Sequence, residues 1–287
     1  MNAMRVALLL SLATAPVAAQ VRTPEQFFGF KIGTDGELAR YPKVLEYMRY
    51  LSTSSNRVQY EELGKTTLGN PYVLVRFSSP ENLSRLDRLI EINRRLADPR
   101  GLSESEAMQL TEEGRAFLFL YATIHSTEVG NGQTILEIAH ELATSDSPKV
   151  REILENTVLL MVPSQNPDGQ VLVIDHYYKN RGTGRPDRYP DLYHKYAGHD
   201  DNRDFFMFNQ PESRNVARQL YREWYPQIVY DQHQSAPFPA RIFIPPFEDP
   251  MNPRIPPLVM ISSPFLRLAS SSACRFRAWP EGRRMRK

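Results

Sequence analysis

Three short apolar runs constrain this chain most. Ala116-Phe-Leu-Phe-Leu-Tyr-Ala122, Thr157-Val-Leu-Leu-Met-Val162 and Pro226-Gln-Ile-Val-Tyr230 are too short for membrane spans or long helices. They read as strands buried within a sheet. Helical patterns over about 127–144 and over 212–224 separate them. Strands alternating with helices predict an α/β sheet with helices on both faces. Upstream, Val44, Leu45, Met48 and Leu51 share one face of a helix over 41–51. Segments 57–63 and 71–77, joined by a turn at Gly69-Asn70, predict a hairpin. An amphipathic helix over 82–97 should stop at Asp98-Pro99, and a second, over 103–114, should be capped by Ser103 with Glu106 three residues on.

The two ends depart from this pattern. Residues 1–19 hold Arg5, an apolar stretch from Val6 to Leu12, and Val17 and Ala19 at the −3 and −1 positions of a cleavage site. That is the form of a Sec-type signal peptide, which predicts a secreted or periplasmic protein without a stable membrane span. Residues 262–287 carry seven basic residues against one acid, Glu281, and show no helical or strand period. The expected organisation is a signal peptide over 1–19, a folded domain over 20–261 and an atypical basic tail over 262–287. Residues 20–261 hold 27 basic and 32 acidic residues, and the whole chain has a formal charge of +2. This balance gives no basis for nucleic-acid binding. A single cysteine, Cys274, excludes an intrachain disulfide framework and a cysteine-rich zinc module.

In open α/β sheets, ligands collect at the carboxyl ends of the strands. Past the first run stand His125 and Glu128, past the second Asn166-Pro-Asp-Gly169, and past the third Asp231 and His233. Spacing of three puts His125 and Glu128 side by side on a turn opening a helix. With His233 they make two imidazoles and a carboxylate. That donor set suits a catalytic zinc, which keeps a further position for water. Asp231 could orient the His233 ring or serve only the sheet edge. His194, His199, Asp200 and Asp201 read as a solvated loop rather than a second metal site. His140 reads as a surface or packing residue.

From Tyr41 to Leu258 the chain resembles the zinc carboxypeptidases. The resemblance rests on the Leu63–Val75 hairpin, His125-x-x-Glu128, Asn166-Pro-Asp-Gly169, Asn202-Arg203 and Asp231-x-His233, with a long interval between Glu128 and His233. It implies a mixed β-sheet sandwiched between helix layers. It implies one Zn2+ per chain, bound by His125, Glu128 and His233. It also implies that Asn202 and Arg203 grip a substrate's terminal carboxylate, a task that suits the planar guanidinium fork. Arg181, with Arg185 as alternate, stands where the family has an arginine that polarises the scissile carbonyl. The tryptophan usual near that arginine is absent.

One departure bears on activity. The family's general-base glutamate lies well beyond the third zinc ligand and is not found here. Glu248 comes too early, and Glu281 lies in the basic tail. The expectation is therefore a domain missing its last elements, with hydrolysis impaired. The implied reaction is removal of C-terminal residues from peptides or proteins with a free C-terminus. Deacylation of an N-acyl amino acid and a non-catalytic zinc or peptide-binding module are the alternatives.

Overall fold

The apolar runs take up the strands that their patterns predict. The structure, a computed structural model, describes residues 20–183, 192, 194–195, 201–234 and 253. Residues 1–19, expected as a signal peptide, the tail 262–287, and Arg185, His199, Asp200 and Glu248 lie outside the described residues. All elements below belong to the unit Met1–His233.

In chain order the elements are α1 (Pro24–Phe28), α2 (Tyr41–Ser54), β1 (Val58–Lys65), β2 (Pro71–Phe77), α3 (Pro80–Ser84), α4 (Leu86–Ala97) and α5 (Glu104–Glu113). There follow β3 (Ala116–Ala122), α6 (Val129–Thr144), α7 (Pro148–Asn156), β4 (Thr157–Val162), α8 (Pro167–Asn180), α9 (Pro211–Arg218) and β5 (Ile228–Gln232). A 3-10 turn, Asp201–Asp204, precedes α9, and a π-helical turn, Gln219–Trp224, extends it. Among the described residues the sheet has five strands in the order β1-β2-β4-β3-β5. β1 and β2 form the expected antiparallel hairpin, and β2 also runs antiparallel to β4. β3 is parallel to both β4 and β5. The sheet is thus mixed, and the carboxyl ends of β3, β4 and β5 share one side.

Alternation along the strands divides the core between the two faces. Leu120, Ala122 and Met161 pack with Val44, Met48, Leu51, Ile135 and Leu136 of α2 and α6. Phe117, Phe119, Val158 and Leu160 face the other way, toward Leu89 and Ile92 of α4 and Val216 of α9. Helices on both faces explain why β3 and β4 are apolar at nearly every position.

Several boundaries differ from the sequence pattern. The helix expected over 82–97 breaks at Arg85, whose φ of −115° and ψ of 25° interrupt the helical path. Ser79 caps the first piece, accepting from the Asn82 N–H. Ser103 caps α5 as expected, with the reciprocal bond from its own N–H to Glu106 at 2.9 Å. The third strand begins two residues later than its apolar pattern suggests. The amide group of Gln227 instead ties to β3, its Oε1 accepting from the Phe117 N–H at 2.6 Å. Among the described residues no helix is long and apolar enough to cross a membrane.

Candidate metal centre

The three parallel strand ends deliver the residues expected there. Beyond β3 the chain reverses sharply at Thr123, whose φ of 62° is unusual for a β-branched residue. Such backbone strain costs on the order of 1–3 kcal/mol and must be held by its surroundings. Here the holding contacts come from the β4 end. The Gln165 N–H donates to Ala122 O at 2.7 Å and the Asn166 N–H to Thr123 O at 3.3 Å. The reversal sends His125 into a turn that closes with the Glu128 N–H donating to His125 O at 3.0 Å, and α6 starts at the next residue.

His125, Glu128 and His233 converge. The Nδ1 atoms of His125 and His233 lie 3.1 Å and 3.3 Å from the two oxygens of Glu128, Oε1 and Oε2 respectively. The imidazole rings are 4.8 Å apart, centroid to centroid. One donor atom from each residue falls within a sphere of contacts no wider than 4.8 Å. Metal–ligand bonds of about 2.0–2.1 Å put tetrahedral neighbours about 3.3 Å apart. Each imidazole Nδ1 lies near that edge length from one Glu128 oxygen, His125 from Oε1 and His233 from Oε2, a spacing compatible with a zinc-sized ion between them.

Two further residues fix the orientation of the trio. Asp231 Oδ2 lies 2.9 Å from His233 Nε2, which leaves Nδ1 as the atom turned toward Glu128. The Asn131 side chain donates to Glu128 Oε2 at 3.2 Å and to Gln232 O at 2.9 Å. It thereby couples the first turn of α6 to the end of β5. Asp231 and then Glu128, hydrogen-bonded to its two nitrogens, push the pKa of His233 up to about 10. Asn131 escaped the sequence reading. Its spacing of three from Glu128 on a helix start was the available signal.

The Asn-Pro-Asp-Gly turn serves the scaffold. Asn166 caps α8 by accepting from the Gly169 N–H at 2.8 Å. Asp168 faces the β1–β2 turn, where it accepts from the Leu68 N–H and the Asn70 amide, each at 2.7 Å, and from the Thr66 hydroxyl.

The remaining expected residues fall at other places. Asn202 and Arg203 lie on the 3-10 turn Asp201–Asp204, with Arg203 exposed. Asp204 holds that turn to the start of α9, accepting from the N–H groups of Asn209 and Gln210 at 3.0 Å and 2.8 Å. Arg181 is the C-terminal cap of α8, about 20 Å along the helix axis from its Asn166 end. Its guanidinium pairs with Glu37 Oε1 at 3.0 Å, so the structure does not bring it into the trio. A role at a scissile carbonyl would require that pair to part. His140 packs as expected, its Nδ1 3.1 Å from the Tyr47 hydroxyl.

His194 and Asp201 overturn the expectation of a solvated loop. Their side chains, and that of Glu212, are fully buried. His194 Nε2 lies 3.3 Å from Asp201 Oδ1 and 3.5 Å from Glu212 Oε2. Burial pushes the Asp201 carboxyl up to about 7 despite the nearby imidazole. For His194, burial opposes the charged form, but Glu212 and Asp201 outweigh it and hold the pKa above the usual value. Glu212 accepts from the Thr67 N–H at 2.8 Å and the Thr67 hydroxyl at 3.1 Å.

The zinc carboxypeptidase family model matches residues 44–233, more than half of the sequence. The chain belongs to the zinc carboxypeptidase family. Among solved structures it resembles thrombin activatable fibrinolysis inhibitor with a TM-score of 0.50 and 11% identity, over 85% of this chain and 58% of that one. Carboxypeptidase A from Helicoverpa armigera gives 0.46 and 17%, over 70% and 47% of the two chains. A metallo-carboxypeptidase from Burkholderia cenocepacia gives 0.46 and 16%, over 69% and 42%. The chain therefore spans about half the length of these structures. No curated protein sequence matches it. At such identities the likeness concerns the fold, an α/β mixed sheet between helices.

Proposed function

We propose that this chain is a zinc-dependent metallocarboxypeptidase acting on peptides with a free C-terminus. The observation that carries the reading is the convergence of His125, Glu128 and His233 from two parallel strand ends, inside a domain of the zinc carboxypeptidase family. These three residues would hold one Zn2+. A zinc ion bound there supplies a polarised carbonyl and a water that ionises near neutral pH. The chain's own contribution is orientation: Asp231 sets the ring of His233, and Asn131 sets the carboxylate of Glu128. Asn202 and Arg203 would receive the terminal carboxylate, with the guanidinium fork pairing two-to-two. The leader-like pattern of residues 1–19 supports a secreted or periplasmic location for this chemistry.

A general base belongs to such a reaction and contributes typically 10²–10⁴-fold. The carboxylates hydrogen-bonded to the trio among the described residues are Glu128 and Asp231, both engaged with imidazoles. Neither is assigned as the base. On this reading Glu248→Gln should leave turnover unchanged.

The test begins with metal. The His125→Ala and His233→Ala variants should each lose the ion bound at this centre, read by mass spectrometry of native protein. Retention of that ion by both variants would refute the ligand assignment.

A further inference from the structure

We propose a second metal site, buried and distinct from the first, formed by His194, Asp201 and Glu212 and suited to a zinc-class divalent ion. The three side chains bring one donor atom each within 4.8 Å of one another, and all are buried. His194 Nε2 stands 3.3 Å and 3.5 Å from a carboxylate oxygen of Asp201 and of Glu212. Those separations match the edge of a tetrahedron with bonds of about 2.0–2.2 Å.

The second observation is Asp201 itself. Its side chain has no solvent exposure, yet neither carboxylate oxygen accepts a hydrogen bond among the described residues. Buried carboxylates are ordinarily paired, hydrogen-bonded or bound to a metal. Glu212, by contrast, is served by Thr67 and keeps a lone-pair direction on Oε2 for the centre of the cluster. With an ion bound, a neutral imidazole and two ionised carboxylates would carry two negative charges, which one divalent cation balances. The imidazole argues against calcium and magnesium, whose ligands are oxygens, and for zinc or a neighbouring transition metal.

Placement gives the site a purpose. Asp201 opens the 3-10 turn that carries Asn202 and Arg203, and Glu212 lies in the first turn of α9. Through Thr67, Glu212 also grips the β1–β2 turn. An ion here would lock position 194, the Asn202–Arg203 turn, α9 and the hairpin into one body. It would be structural, holding the proposed carboxylate-binding residues at a fixed place.

The experiment counts metal in the full chain after equilibration with Zn2+ and removal of excess, using inductively coupled plasma mass spectrometry, with far-UV circular dichroism to check folding. About two zinc ions per chain are expected. The His125→Ala/His233→Ala double variant, which leaves the second cluster untouched, should keep about one. Adding His194→Ala or the isosteric Asp201→Asn to that double variant should remove it. A Co2+ derivative of the double variant should show visible absorption from an imidazole-ligated ion, lost on Asp201→Asn. A folded double variant that retains no zinc would overturn the proposal. A wild-type count of one that drops to zero on Asp201→Asn would uphold this site and instead sink the centre at His125.

Discussion

Replacing Asp168 tests whether the Asn-Pro-Asp-Gly turn is a scaffold element. Its carboxylate is 2% exposed and accepts from three donors of the β1–β2 turn: the Thr66 hydroxyl, the Leu68 N–H and the Asn70 amide. Hydrogen bonds to a charged group contribute about 1.5–3 kcal/mol each. The Leu68 and Asn70 donors lie near the surface and regain water when the carboxylate is removed, so their loss falls at the lower end. Thr66 is buried and has less recourse to solvent. Asp168→Ala should therefore cost about 3–5 kcal/mol, a large part of the roughly 5–15 kcal/mol that stabilises an ordinary domain. Asp168→Asn keeps the shape and an Oδ1 that accepts from Thr66 and Asn70, but sets an amide N–H against the Leu68 N–H, and should cost less than the alanine. Urea unfolding followed by far-UV circular dichroism, at matched zinc concentration, measures both. A loss below about 1 kcal/mol with an unchanged denaturant slope would refute the scaffold assignment.

Two other perturbations probe separate parts of the molecule. Arg203→Lys should weaken binding of a free-acid tripeptide by about tenfold, because an ammonium cannot reproduce the bidentate fork, and should leave an amidated tripeptide unaffected in calorimetry; equal effects on both would remove Arg203 from carboxylate recognition. Burial lowers the pKa of His140 below the usual imidazole value, so the unfolded chain takes up that proton first as pH falls. Its contribution is present above about pH 6.5 and is lost as pH falls through the folded value, and His140→Gln should flatten the stability profile below about pH 6.5. An unchanged pH profile would mean that the ring stays neutral for another reason, or is hydrated.

Much of the fold was legible because hydrophobic pattern and secondary structure coincide where burial is two-sided. Strands over 116–122 and 157–162 fall at their predicted limits, and the Ser103–Glu106 box starts α5 as its spacing requires. The pattern failed where local chemistry competes with periodicity. Arg85 divides a continuous apolar stripe into two helices at a position that the stripe does not mark. Helix α7 was overlooked although Ser147 and Pro148 supply a cap and an N1 proline, because only Val150 and Leu154 of it are buried. Helix α8 was hidden behind the turn motif at its own start.

The site divides along a similar line. Residues at strand ends were placed by topology, so the trio could be anticipated before any coordinates. Contacts joining distant loops could not. Asp168 and Glu212 both reach the turn over residues 66–70, across sequence separations of 98–102 and 145 residues, and no short motif records such a meeting. The same holds for His194, which polar neighbours in the sequence made look solvated while the fold buries it against Asp201 and Glu212. These hidden contacts form one chain of support, from the hairpin turn through Glu212 to the segment bearing Asn202 and Arg203. The trio hangs on the backbone bonds at Ala122 and Thr123 and the Asn131 bridge to β5, and Gln165 joins this set to the other, its backbone N–H donating to Ala122 O and its side-chain amide to Glu212 O. Damage to the hairpin turn therefore reaches both the proposed carboxylate-binding residues, through Glu212, and the segment before His125, through Asp168 and the neighbouring Asn166. Gln165 is thus the point at which the supports of the proposed carboxylate-binding turn and of the proposed metal centre meet.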